Sequence, residues 1–219
     1  MKKNLIAIVC GILLTLATAF PGQAHSLGYV EKQLAGKGNF FQAFDRKIPG
    51  FEFQDIEGNK ITPRRLAGKV VVLFFITADC LASCPAHIQS MAEIQSMLNL
   101  SAMRDTVQII TIITDPPENV REVLRKLADD TEIDSSNWAF VSSDLSRTSA
   151  TGRLLNFFGG KVTNAAKNVE IENIVTHVIG MNGHWRANFY GLDFQPTEFV
   201  IYINALVNSD LGITDGHEE

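Results

Sequence analysis

The 219-residue sequence predicts an α/β domain with a central mixed β-sheet flanked by helices, and three observations predict it. Val70–Ile76 and Val107–Ile113 are short apolar runs rich in β-branched residues, the pattern of strands buried on both faces. Between them, Pro85 to about Leu98 spaces Ile88, Met91, Ile94 and Leu98 at intervals of three and four, as a crossover helix does, so the two strands are parallel. Later, Ile174–Met181 and His184–Tyr190 flank Asn182-Gly183, the strongest hairpin-turn dipeptide, and add antiparallel strands.

Taken in order, the chain opens on Lys2 and Lys3, followed by an almost wholly apolar stretch from Leu5 to Phe20. At 16 residues that stretch is short of the roughly 20 a spanning helix needs. Pro21 breaks it, and Gly22-Gln23-Ala24 places small residues where a signal peptidase reads. Residues 1–24 are therefore expected to be a secretory signal cleaved after Ala24, with Ala17-Thr18-Ala19 as a second cleavage point and an uncleaved inner-membrane anchor as the alternative. Residues 25–48, with Gly36 and Gly38, read as a loose N-terminal segment. Residues 49–208 form the domain. It starts with an N-terminal β-hairpin in which Phe51 to Asp55 alternates, Glu57-Gly58-Asn59 turns and Lys60-Ile61-Thr62 returns. After the second buried strand, Val120, Val123, Leu124 and Leu127 mark the inward face of a helix. Trp138–Val141 is a short strand, and Leu145–Phe158 a helix stopped by Gly159-Gly160. Lys161–Asn173 is polar and unpatterned, so a mobile loop is expected. Pro196 opens a last helix with Phe199, Tyr202, Ile203, Leu206 and Val207 inward, and residues 209–219 read as a flexible tail.

Composition narrows the partners. Removing 24 residues leaves 195, an ordinary single domain, and losing Lys2 and Lys3 takes the net charge from −5 to −7. There is no basic patch, which argues against nucleic acid. Of three cysteines, Cys10 goes with the signal, leaving Cys80 and Cys84. A disulfide between them would close a ring of only five residues and constrain the unfolded chain little. The pair is therefore expected to be functional rather than a staple.

Cys80 and Cys84 lie in the connection between the first buried strand and its crossover helix. Proline suits the first helical position, so Pro85 puts Cys84 beside the helix N-terminus, where the dipole favours a thiolate. A dithiol at the first β–α junction of such a sheet is a thioredoxin-like layout. The spacing is Cys-x3-Cys, however, not the Cys-x2-Cys of the usual redox motif, and it leaves room for an atom between the sulfurs. Soft thiolates select Cu(I), and imidazole suits copper in either oxidation state. Of the mature histidines, His177 stands in the strand whose start faces the dithiol in this layout, and it is the expected third ligand. His87, three residues past Cys84, reads as a solvated helix residue, with an accessory ligand as the other reading. His184 follows a turn, His217 lies in the tail and His25 would be the new N-terminus.

Together, Phe51-x-Phe53-x-Asp55-x-x-Gly58, Leu66-x-Gly68-Lys69, Thr77-x-x-Cys80-x-x-x-Cys84-Pro85, Thr114-Asp115-Pro116 and a strand histidine before Asn182-Gly183 resemble the Sco/SenC family. The resemblance implies a thioredoxin-like fold, copper binding by Cys80, Cys84 and His177, and a periplasmic metallochaperone role in assembling the copper-A centre of cytochrome c oxidase. The implied partner is the oxidase's copper-A subunit, or another copper-accepting or thiol-bearing periplasmic protein. Contact with the membrane would come only through that partner or through an uncleaved anchor. It also allows a thiol–disulfide reductase or a copper or redox sensor built on the same dithiol. Leu81 stands where members commonly have proline, and Thr176 where they commonly have aspartate before the histidine. Asp115, at the end of the second buried strand, is either near the site or a cap for the following helix.

Overall fold

The computed structural model describes residues 26–77, 85–114, 116, 118–142, 149–160 and 174–213. The expected signal, Cys80, Cys84, Asp115, the 161–173 loop and the end of the tail with His217 lie outside the described residues, as does His25. A six-stranded sheet in the order β1-β8-β7-β4-β5-β6 forms the centre. Its strands are β1 Phe41–Lys47, β4 Val70–Ile76, β5 Val107–Ile113, β6 Trp138–Ser142, β7 Val175–Ile179 and β8 His184–Tyr190. Strands β4, β5 and β6 are parallel, while β7, β8 and β1 extend the sheet antiparallel from β4. The short hairpin of β2 Phe53–Gln54 and β3 Lys60–Ile61 packs beside β6, where Ile56 N–H donates to Phe140 O at 3.0 Å.

Central strand β4 is buried at every residue because both its faces are covered. Val70, Val72, Phe74 and Ile76 face a core shared with α2 Pro85–Asn99, α3 Val120–Thr131 and α5 Pro196–Asp210. Val71, Leu73 and Phe75 face the opposite core, shared with the hairpin and with α4 Ala150–Phe157. This alternation of period two decides which functional side chain lies on which face. Helix α5 starts on a capping box between Gln195 and Glu198 with Pro196 in its first turn. Gly159, just past the end of α4, takes φ +91°, a left-handed conformation open to glycine without a Cβ penalty.

The N-terminal segment differs from its sequence reading. Rather than being loose, it forms helix α1, Leu27–Ala35, and edge strand β1. Leu27, Val30 and Leu34 fall on one buried face, Ser26 caps the helix by accepting from Tyr29 N–H, and α1 packs on α5. Phe41 then places its ring against Phe189 and Tyr202 at 5.2 and 5.3 Å. Helix α4 begins at Ala150, later than the sequence suggested, with Ser149 as its N-cap. Helix α5 runs on to Asp210, beyond the expected start of the tail.

Candidate functional site

The expected copper site lies where β4 hands over to α2. β4 ends at Ile76, whose carbonyl accepts from both the N–H and the Oγ1 of Thr114 at 3.0 and 3.2 Å, locking the ends of β4 and β5 together. α2 begins at Pro85, the residue bonded to Cys84. The N-terminus of α2, the positive end of its dipole, therefore directly follows Cys84 in the chain. Among the described residues no group of three or more His, Cys, Asp or Glu is placed to hold a metal ion.

His177 stands in β7, as the sequence placed it, and the strand register fixes its level. In the antiparallel β4–β7 pair its Cα is level with Leu73, and Thr176 is level with Phe74. Thr77, the last described residue before the cysteines, is four positions beyond Leu73, about 13 Å along a strand rising ~3.3 Å per residue. His177 also shares the Leu73 face, whereas α2 covers the opposite one. Only 5% exposed, its ring stacks on Phe158 at 4.0 Å and 11° and meets the ring of Trp185 edge-on at 6.1 Å. Trp185 Nε1–H donates to Asn188 Oδ1 at 3.0 Å, so that atom is an acceptor, and His177 Nδ1, 2.7 Å away, is the donor. Asn188 in turn donates from Nδ2 to the Tyr190 hydroxyl, which donates to Gln42 Oε1. Burial brings the His177 pKa down to about 4, although its bond to Asn188 works the other way. Cys80 and Cys84 lie outside the described residues, and the bond from Nδ1 to Asn188 leaves Nε2 as the lone-pair atom of the ring. The imidazole is a neutral, oriented member of a buried network inside the sheet.

The reading of His87 is corrected by the structure. It is 1% exposed rather than solvated, because it lies one turn before Met91 on the buried face of α2. Its ring meets Phe74 edge-on at 4.9 Å. Both ring nitrogens are buried with no hydrogen-bond partner. Burial lowers its pKa to about 4, so the ring is neutral at physiological pH. A buried polar group without a partner costs about 1–3 kcal/mol, so this imidazole is an expensive way to fill space. The helical spacing of His87 with Met91, Ile94 and Leu98 was the sequence signal for its burial. His184 is half-buried and bonded to Asp45 at 2.6 Å, which lowers the Asp45 pKa. A cleft of about 340 Å³ lies at the other end of β4, lined by Lys47, Phe51, Leu66, Lys69, Val71 and Met181 among others, and contains none of the expected site residues.

Comparison with known proteins bears on this arrangement. The SCO1/SenC family model matches residues 42–139. The SCO1 protein homolog of Bacillus subtilis is 26% identical over 160 residues, covering 71% of this chain and 79% of that one. The family model, this relative and the solved Sco structures together support the SCO1/SenC family for this chain. Two solved structures show the same fold. BsSco, described as a member of the Sco family of cytochrome c oxidase assembly proteins with a disulfide switch, superposes with a TM-score of 0.63 at 22% identity, covering 79% of this chain and 98% of its own. Yeast Sco1 with copper bound gives a TM-score of 0.57 at 16% identity, covering 75% and 90%. The central mixed sheet flanked by helices is thus the thioredoxin-like Sco fold. Among the described residues no helix is long and apolar enough to cross a membrane.

Proposed function

We propose that this Sco/SenC protein is a periplasmic copper carrier that binds one copper through the thiolates of Cys80 and Cys84 and helps to build the copper-A centre of cytochrome c oxidase. The observation that carries the reading is the Cys-x3-Cys-Pro sequence between a buried β4 and the N-terminus of α2, in a member of a family with copper-bound relatives. Two soft thiolates in one short connection, next to the positive end of a helix, suit Cu(I). An N-terminal signal cleaved after Ala24 places the domain in the periplasm. The intact mass of the exported protein tests this, and a protein retaining residues 1–24 in the membrane fraction would overturn it.

Anaerobic titration of the reduced protein with Cu(I) tests the site. One equivalent should bind tightly to the wild type, and Cys80→Ser and Cys84→Ser should each abolish tight binding, because a neutral hydroxyl does not replace a thiolate. His177→Ala should weaken binding, because the resemblance makes its imidazole the third ligand, and a first shell identical in wild type and variant would refute that role.

A second reading has support in the disulfide switch described for BsSco. On that reading the same dithiol reduces the cysteines of the acceptor or senses redox state. A copper-A domain offered in reduced and oxidised forms separates the two readings. Loading of the reduced domain by the copper-bound protein supports the carrier. Rapid reduction of the oxidised domain by the metal-free protein, without any loading, refutes it.

A further inference from the structure

The cleft of about 340 Å³ beside the start of β4 takes no part in the copper reading, and its walls have a chemistry of their own. Its volume is within the roughly 300–1,000 Å³ of small-molecule sites. Val71 and Ile179, paired across β4 and β7, line it together with Phe51 and Leu66. Val71, Ile179 and Phe51 are otherwise buried, so the cleft reaches down to the core on the hairpin side of the sheet. The charged residues that line it are Lys47 and Lys69, both cations, in a chain whose net charge is −5. Lys47 is exposed and Lys69 half-buried, so their ammonium groups belong to the mouth rather than the floor. Lys47 Nζ donates to Asn182 O at 2.6 Å, whereas Lys69 enters none of the ion pairs among the described residues.

We propose that this cleft binds a small monocarboxylate with an apolar tail, the tail against Val71 and Ile179 and the carboxylate between Lys69 and Lys47. The apolar floor rewards a tail with buried area. Two cations without a lining acid favour an anionic head over a neutral one. The backbone decides which anion. Phosphate sites are cradled by free backbone N–H groups. Along this wall those groups are already engaged: Ile48 N–H donates to Gly183 O, Gly68 to Met181 O, Lys69 to Leu66 O and Gly183 to Gly180 O, at 3.2, 3.3, 3.0 and 2.9 Å. Met181 N–H donates to Asp210 Oδ2 at 2.7 Å, a bond that also engages the acid beside Gly180. The ammonium groups remain as donors, and they suit the single charge of a carboxylate.

The test titrates the whole protein, reduced and metal-free, with octanoate, followed by calorimetry and by amide ¹H–¹⁵N spectra. One equivalent should bind, with the shifts concentrated at Phe51, Val71, Ile179 and Met181. Octanol keeps the tail and acetate keeps the head, so each should bind at least about fivefold more weakly. Octyl phosphate puts the same tail on a more highly charged head and should bind no tighter than octanoate. Replacing both lysines, Lys47→Gln with Lys69→Gln, should weaken octanoate about fivefold, what one exposed ion pair supplies, and leave octanol unchanged, which also shows that the cleft is intact. Ala67 lines the cleft from an exposed position, so Ala67→Phe should block octanoate without altering thermal unfolding. No saturable binding of octanoate, equal binding of octanol, tighter binding of octyl phosphate, or undiminished octanoate binding in the double-lysine variant each overturns the proposal. A Cu(I) titration of the same protein is read separately, because the cleft lies at the other end of β4 from Ile76 and the cysteine-bearing connection.

Discussion

Lowering the pH should destabilise the metal-free protein before its carboxylates begin to protonate. His87 and His177 are both buried neutral, with pKa values lowered from 6.5 to about 4. In the unfolded chain they take up protons near pH 6.5, whereas the folded chain refuses them until about pH 4. The unfolded state therefore binds more protons throughout that window. Stability is flat above about pH 7.5 and falls as the pH drops toward 4. Between pH 7.5 and 5 each histidine accounts for about 2 kcal/mol and the two together for about 4, a large share of the roughly 5–15 kcal/mol a domain has. Asp45, Asp134 and Glu198 have lowered pKa values, so they keep their charge to lower pH than in the unfolded chain. Glu31, raised chiefly by burial, works in the opposite direction and trims the slope slightly. The assay is urea unfolding of reduced, metal-free protein at pH 7.5, 6 and 5, followed by tryptophan fluorescence. His87→Leu should remove about half of the loss. A midpoint that does not move between pH 7.5 and 5, or a full slope retained in His87→Leu, would show that these imidazoles are not held neutral by the fold.

Three further outcomes follow from the sheet's buried side. Asn188→Leu removes the acceptor for His177 Nδ1 and Trp185 Nε1, and thermal unfolding should show a loss of about 2–4 kcal/mol; a change under about 0.5 would mean the network is not closed as described. Phe158→Ala removes the ring stacked on His177 and packed against Phe75 and Trp185, and should cost about 3–5 kcal/mol in denaturant unfolding, with a cost below about 1 refuting that packing. Gly183 sits at φ +75°, where an added Cβ would come within 3.4 Å of Lys47 Nζ. Gly183→Val should cost about 1–3 kcal/mol and speed amide exchange at Ile48, whose N–H donates to Gly183 O, and unchanged exchange there would refute the strain.

Most of the sheet was legible because its signals are local. Val107–Ile113 is β-branched at every position except Gln108, and it forms a strand with those same ends. Asn182-Gly183 marked the turn between β7 and β8, and Pro196 the start of α5. The N-terminal segment was missed because Gly36 and Gly38 suggested looseness, although Leu27, Val30 and Leu34 already carried a helical spacing behind a Ser26 cap. β1 gives a weaker signal, since as an edge strand it buries only Phe41 fully, and its pairing with β8 is a non-local fact.

The two histidines show where local reading stops. Strand membership of His177 was plain in Ile174–Ile179, but its height in the sheet depends on register against β4, roughly a hundred residues earlier in the chain. A strand offers two faces and several levels, and sequence pattern alone gives the alternation without the level. With Leu73 opposite, the ring falls inside the Phe158–Trp185 cluster, four residues short of the level of Thr77. His87 needed no long-range information, because a helix fixes both face and level through spacing from its own start. It was misread because histidine was taken as polar and therefore outward, when its spacing with Met91, Ile94 and Leu98 pointed inward. A polar residue at a buried periodic position carries more functional information than an apolar one there. The apolar one would be explained by packing alone.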